Sequence, residues 1–217
     1  MVLLVVGLLV VVVWLLLGSR LLVLRDVAVS GVERATTAEV TTAAGVTTGT
    51  PLVLLDTANV VERVEELRLV EEAEVRRSWP ATLEVAVTER EPVLSVQTDE
   101  GYQLVDHAGV WIEDAAERPA DQPTVQVRGE VYGNTAVADA ATVRQHLDEH
   151  LLQELTEIDA RDSEAISLEL RDGANVQWGS VHRSQDKAEV LVTLLEEHPP
   201  TDELHYDVSS PDVVAVR

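Results

Sequence analysis

The side chains in this sequence with the most chemical promise are His146-Leu147-Asp148-Glu149-His150, which have the H-x-x-E-H spacing of inverted zinc peptidases. On one helix, two His four residues apart can share a metal, with Glu149 placed as a general base. Both His, however, border the apolar stripe of an amphipathic helix, on its solvated shoulder. No downstream Glu or His stands out as a third ligand, and such short patterns arise by chance in a chain rich in Asp and Glu. The pair therefore reads as surface. Glu65-Glu66, Glu71-Glu72 and Glu196-Glu197 fall at helix ends or loops, where acidic runs are solvated faces. His107, His182, His198 and His205 are scattered in turns and strand ends, and Trp79, Trp111 and Trp178 are expected to anchor cores. The chain carries no nucleophile elbow, phosphate loop or dinucleotide fingerprint. No catalytic residue, metal or cofactor is expected.

Composition narrows the function further. The 217 residues hold 39 Asp and Glu against 16 Lys and Arg, with no Cys. Every carboxylate lies at or after Asp26, where 14 cations accompany them, so that part carries a net −25. Such a surface repels phosphate backbones, which excludes ordinary nucleic-acid binding. Lacking Cys, the chain has no disulfide framework and no thiolate site. Fifteen of the cations are Arg, and Lys187 is the single Lys. A coding bias or a salt-adapted surface would both produce this balance; concentrated salt would screen the self-repulsion.

The apolar residues are unevenly spread. Residues 2–17 contain no polar side chain except the indole of Trp14, and Val2 to Ser19 is 18 residues. As a helix that stretch spans roughly 27 Å, close to a bilayer core of about 30 Å. Arg20 can snorkel to the interface and let the span reach Leu24. A cleaved signal peptide would want a basic start and a small-residue cleavage site; only Gly18-Ser19 is a weak match. Residues 1–25 are therefore read as a single membrane anchor. Arg20 and Arg25 follow the span, and the positive-inside rule taken alone would leave the bulk of the chain cytoplasmic.

The remainder predicts an α+β chain. In 26–90, Val27 and Val29 alternate in a strand closed by Gly31, and Thr36 to Glu39 form a capping box. Asp56 caps a second helix with Val60, Val61, Val64 and Leu67 on one face. Ala73, Val75, Arg77 and Trp79 share one face of a second strand; Leu83, Val85 and Val87 alternate in a third. This is a β-α-α-β-β unit of two layers. In 91–217 the reading is β-rich. Short strands lie at Val93–Val96, Tyr102–Val105 and Val110–Ile112, with Asp106 to Gly109 as a turn and 113–123 as a loop. One helix face runs through Val143, Leu147, Leu151, Leu155 and Ile158. A hairpin turns at Arg171-Asp172-Gly173, a helix covers Ser184–Glu197, and Leu204–Val208 is the last strand, followed by a tail.

Several ordered motifs together resemble the bacterial cell-division family FtsQ/DivIB. They are V-x-V-x-G at Val27–Gly31, V-R-R-x-W-P-x-T-L at Val75–Leu83, V-x-E-R-E-P-V at Val87–Val93 and L-V-D-x-x-G-V at Leu104–Val110. LRDGANVQWGS, the Lys187 helix and YDVSSPDVVAVR continue the likeness. The resemblance implies a POTRA domain over 26–90 and a β domain over 91–217, both outside the cytoplasmic membrane at the division septum. It also implies a basic cytoplasmic tail before the anchor. The implied function is a non-enzymatic scaffold that links early and late division proteins. Its partners would be FtsB/DivIC-like and FtsL-like proteins, together with the septal peptidoglycan synthase complex. The partner site it implies is a C-terminal edge strand, with Leu204, Tyr206, Val208 and Ser209 as contacts; Tyr206 either turns toward the incoming chain or packs on the Lys187 helix of its own domain. A POTRA-bearing outer-membrane assembly or secretion factor is the rival class; it would need a barrel's worth of strands after residue 90.

Overall fold

Local signals in residues 22–90 are mutually consistent, and each element forms where they place it. The structure, a computed structural model, describes residues 1, 3–8, 11, 22–201, 204–212 and 215–216. By contact density the chain divides into two compact units, 1–90 and 91–217.

In the first unit β1 (Asp26–Ser30) leads to α1 (Thr37–Ala44). The box at its start is closed from both sides: Thr36 Oγ1 accepts from the Glu39 N–H, and Glu39 accepts from the Thr36 N–H. Gly45 ends the helix in the left-handed region, with φ 59°. A short 3-10 turn, Leu52–Leu54, precedes α2 (Thr57–Glu65), which Asp56 caps. The strands β2 (Val70–Ser78) and β3 (Thr82–Glu89) complete a sheet of order β1-β3-β2, with β1 parallel to β3. Leu83, Val85 and Val87 face the helices, and with Val40, Val60 and Val64 they form a core shielded from water.

The apolar run read as a membrane span lies mostly outside the described residues. Among those described, residues 3–8 are helical with Leu3, Leu4 and Leu8 exposed, and no helix is long and apolar enough to cross a membrane. The end of that run has a different place from the one expected. The Leu24 side chain is buried in the first core, and its backbone bonds to the loop before the 3-10 turn, N–H to Thr50 O at 2.8 Å and O from Gly49 N–H at 2.8 Å. Leu52 N–H in turn donates to Leu22 O. Leu22 and Leu24 are thus built into the first unit, before the boundary read from polarity.

The second unit is built on a nine-stranded sheet of order β12-β11-β10-β9-β8-β7-β4-β5-β6. Its strands are β4 (Leu94–Thr98), β5 (Gly101–Val105), β6 (Trp111–Ala115), β7 (Thr124–Gln126), β8 (Leu155–Asp159), β9 (Ile166–Leu170), β10 (Asn175–Gly179), β11 (His205–Asp207) and β12 (Ala215–Val216). Between them lie α3 (Thr135–His146), α4 (Glu149–Glu154) and α5 (Ser184–Glu197). The turn at Asp106 is held from within: its buried carboxylate accepts from the N–H groups of Ala108 and Val110 at 2.9 and 2.8 Å. Gly109 has φ +77°, and a Cβ there would come within 2.9 Å of the Ala138 backbone, so that turn packs directly on α3.

Three expectations need correction. The helix face from Val143 to Ile158 is divided between α3, α4 and β8, because Leu147 is extended (ψ 141°) and Asp148 starts a new helix by capping the Leu151 N–H. The loop over 113–123 starts later, since β6 runs to Ala115. Leu204–Val208 is not the last strand: β12 pairs outside it.

Candidate partner interface at the C-terminal sheet edge

The elements that carry the C-terminal edge are fixed from inside the second unit. Trp178, near the end of β10, is buried, and its indole N–H donates to Ser184 Oγ at 3.2 Å. Ser184 Oγ donates to Val181 O at 2.8 Å, which closes the connection into α5. Lys187, itself buried, donates from Nζ to Trp178 O at 3.0 Å and Ser180 O at 2.7 Å. Burial lowers the Lys187 pKa, with the nearby Arg183 charge in the same direction and Glu164 opposing. The only Lys of the chain thus ties a strand end to a helix.

From α5 the chain returns into β11, which runs parallel to β10 with Val176 opposite Tyr206. Tyr206 is fully buried, and its hydroxyl donates to His198 O at 2.7 Å. Burial raises its pKa, and the Asp172 charge adds to this. Val208 is also fully buried, and Leu204 packs partly against the same core. His205, Asp207 and Ser209 alternate to the exposed side. Ser209 donates from N–H and Oγ to Asp207 Oδ1 at 3.0 and 2.6 Å.

The sequence-derived contacts therefore do not act together as expected. Tyr206 cannot turn an aromatic face to an incoming chain, because its ring fills the core and its hydroxyl is spent on the carbonyl of His198, just past α5. Val208 points the same way. Of the four, only Ser209 offers an exposed side chain. β11 is also covered, since Tyr206 pairs with Val216 and Asp207 with Ala215 of β12. What the sequence reading missed is this outer strand. Its signal is the apolar run Val213 to Val216 after Pro211, too short to count as a strand.

A charge clamp holds the turn between β11 and β12. Arg183, at φ 59°, donates to Asp212 at 2.7 Å and to Asp186 at 2.7 Å. These bonds raise the Arg183 pKa and lower that of Asp212. Among the described residues no strand pairs with β12 on its outer side, which makes it an edge of this sheet.

The H-x-x-E-H residues are separated in the same sense. His146 ends α3, with Nδ1 2.8 Å from Thr142 O, whereas His150 sits in α4. Among the described residues no cluster of three His, Asp or Glu could hold a metal.

A two-layer β-α-α-β-β unit followed by a mixed sheet with an open C-terminal edge defines a POTRA-plus-β-domain protein. Residues 22–90 match the family model for the FtsQ-type POTRA domain, and residues 95–214 match that for the FtsQ/DivIB C-terminal region. The chain is 36% identical over 209 residues to the cell division protein FtsQ of Streptomyces coelicolor, covering 91% of this chain and 78% of that one. It is 37% identical to its Mycolicibacterium smegmatis counterpart, covering 89% of this chain and 56% of the other. With the Mycobacterium leprae counterpart, identity is 36% over 89% of this chain and 55% of that one, so the chain spans about half the length of these two relatives. The chain belongs to the FtsQ/DivIB family of cell division proteins. The C-terminal match also removes the outer-membrane barrel reading.

Proposed function

We propose that the chain is a non-enzymatic scaffold of the division machinery. It is anchored once in the cytoplasmic membrane, with residues after the anchor outside the cell membrane at the septum. In this reading the open edge of β12 receives a strand from an FtsB/DivIC-like or FtsL-like partner, with the septal peptidoglycan synthase complex recruited through that assembly. The single observation that carries it is the outer position of β12, pinned through Tyr206 on one side and by the Arg183–Asp212 clamp at its turn. Backbone addition supplies affinity, while His205, Asp207 and Ser209 beside the edge are positioned to read the partner's side chains.

Two proline variants test this. Successive residues of a strand point their N–H groups to opposite sides, so of Ala215→Pro and Val216→Pro one removes a bond to β11 and the other an outward donor. Co-purification with the partners' extracytoplasmic segments should fail for the variant that keeps the wild-type unfolding midpoint. Undiminished capture by both variants would overturn the edge reading.

A further inference from the structure

Trp79 was expected to anchor a core, yet it is 51% exposed, at the turn that joins β2 to β3. Leu54 is 63% exposed and Val53 38%, both on the 3-10 turn. From Leu22 to Arg90 these are the exposed large apolar side chains, and the backbone gathers them at one end. Arg77, two residues before Trp79, donates to Leu52 O at 2.9 Å and Leu55 O at 2.6 Å, joining the end of β2 to the 3-10 turn. Arg25 N–H donates to Ala81 O at 2.8 Å, joining the entering chain to the same β2–β3 turn. Leu22 and Leu24 bond to the segment Gly49–Leu52. Three segments thus meet where the apolar run enters the domain.

From this geometry we infer that the Trp79–Leu54–Val53 surface is a membrane-contact face, seated in the lipid–water interface beside the chain's own anchor. The inference rests on the anchor reading above. The occupant is set by continuity: the residues before Leu22 are the apolar run, so whatever solvent receives that run lies against this end of the unit. An indole beside aliphatic side chains is a composition that interfaces favour, with the ring at headgroup level. The force is apolar, not electrostatic. With a net −25 after Asp26 the chain as a whole is repelled by anionic lipid, so the contact should form equally on neutral headgroups. A purely structural Trp would bury its ring on its own domain; this one leaves half of it outside.

The absence of Cys makes the test direct. Full-length Leu54→Cys and Tyr132→Cys chains are nitroxide-labelled and reconstituted in phosphatidylcholine vesicles. Tyr132, 83% exposed in the second unit, serves as the aqueous reference. Collision with oxygen should dominate at 54, and collision with a water-soluble nickel chelate at 132. Adding Trp79→Ser to the Leu54→Cys chain should raise nickel accessibility at 54 by about threefold. Val53→Ser, which leaves the β2–β3 turn untouched, should act in the same direction. A label at 54 as aqueous as that at 132, in a chain that floats with the vesicles, overturns the contact face alone. A chain that does not float overturns the anchor reading and this inference with it.

Discussion

Replacing Glu89 by Gln should loosen the first unit by an amount that the geometry allows to be worked out. The Glu89 carboxylate closes the β1–α1 loop, accepting the N–H groups of Glu33 at 2.9 Å, Arg34 at 3.1 Å and Ala35 at 2.8 Å. The Arg34 guanidinium lies 3.4 Å away, with the Glu89 side chain only 9% exposed. Burial alone would raise the Glu89 pKa, but the bonds from Ala35, Glu33 and Arg34 and the Arg34 charge outweigh it and hold the group below its ordinary 4.5. A hydrogen bond to a charged acceptor exceeds a neutral one by roughly 1 kcal/mol, and three are affected. Discounted for the solvent-facing loop, Glu89→Gln should cost about 2 kcal/mol. Amide exchange in the β2–β3 ladder, which reports this unit separately, should then accelerate about 30-fold at neutral pH. Because the folded pKa is depressed, the stabilisation is fully present above the unfolded value, near 4.5, and is lost as pH falls through the folded one. The gap between wild type and variant should close over that acid window. Unchanged exchange at neutral pH, or a gap that persists well into acid, would refute the reasoning.

Tyr206→Phe should leave partner capture intact and lower the stability of the second unit by about 1 kcal/mol, the cost of an unpaired His198 carbonyl. Tyr206→Ala should cost roughly 3–5 kcal/mol through the cavity it opens, measured by urea denaturation; a loss of affinity at unchanged stability would return the residue to the interface. For the whole chain at net −23, added sodium chloride should raise the unfolding midpoint, and a flat midpoint would remove the salt-adapted reading of its surface.

The legible parts of this sequence are those whose determinants are local. Thr36 and Glu39 mark a helix start by themselves, Gly45 marks its end, and Leu83, Val85 and Val87 state their strand face in three residues. The Arg171-Asp172-Gly173 hairpin and the α5 helix are equally self-contained. Long-range pairing is what sequence periodicity leaves unstated. Leu155 and Ile158 fit a helical spacing, and only a register shift against β9, which sets Leu155 opposite Leu170 and Ile158 opposite Leu168, lets both face the core from one strand. β7 and β12 have three and two residues, too few to carry a period. Tyr206 is open to two readings in the sequence for the same reason: at the end of a sequence a strand looks like an edge, and the strand that pairs outside it lies beyond a Pro. Trp79 departs in the opposite direction, since nothing in the residues around the β2–β3 turn tells that half of it stays exposed.

The parallel pairing of β1 with β3 has a mechanical consequence. The chain enters the first unit at the start of β1 and leaves it at the end of β3, and these two strands are neighbours in matched register from Asp26–Thr82 to Ser30–Ala86. Tension drawn between the entering and departing segments therefore acts along both strands in opposite directions. The ladder is loaded in shear, so its bonds must yield together instead of unzipping one at a time from an end. An antiparallel pair at the same termini would peel under a far smaller pull. A tether between an anchored segment and a growing assembly would gain from that order of strands, because resistance to extension is set by the height of one cooperative barrier rather than by the weakest single bond.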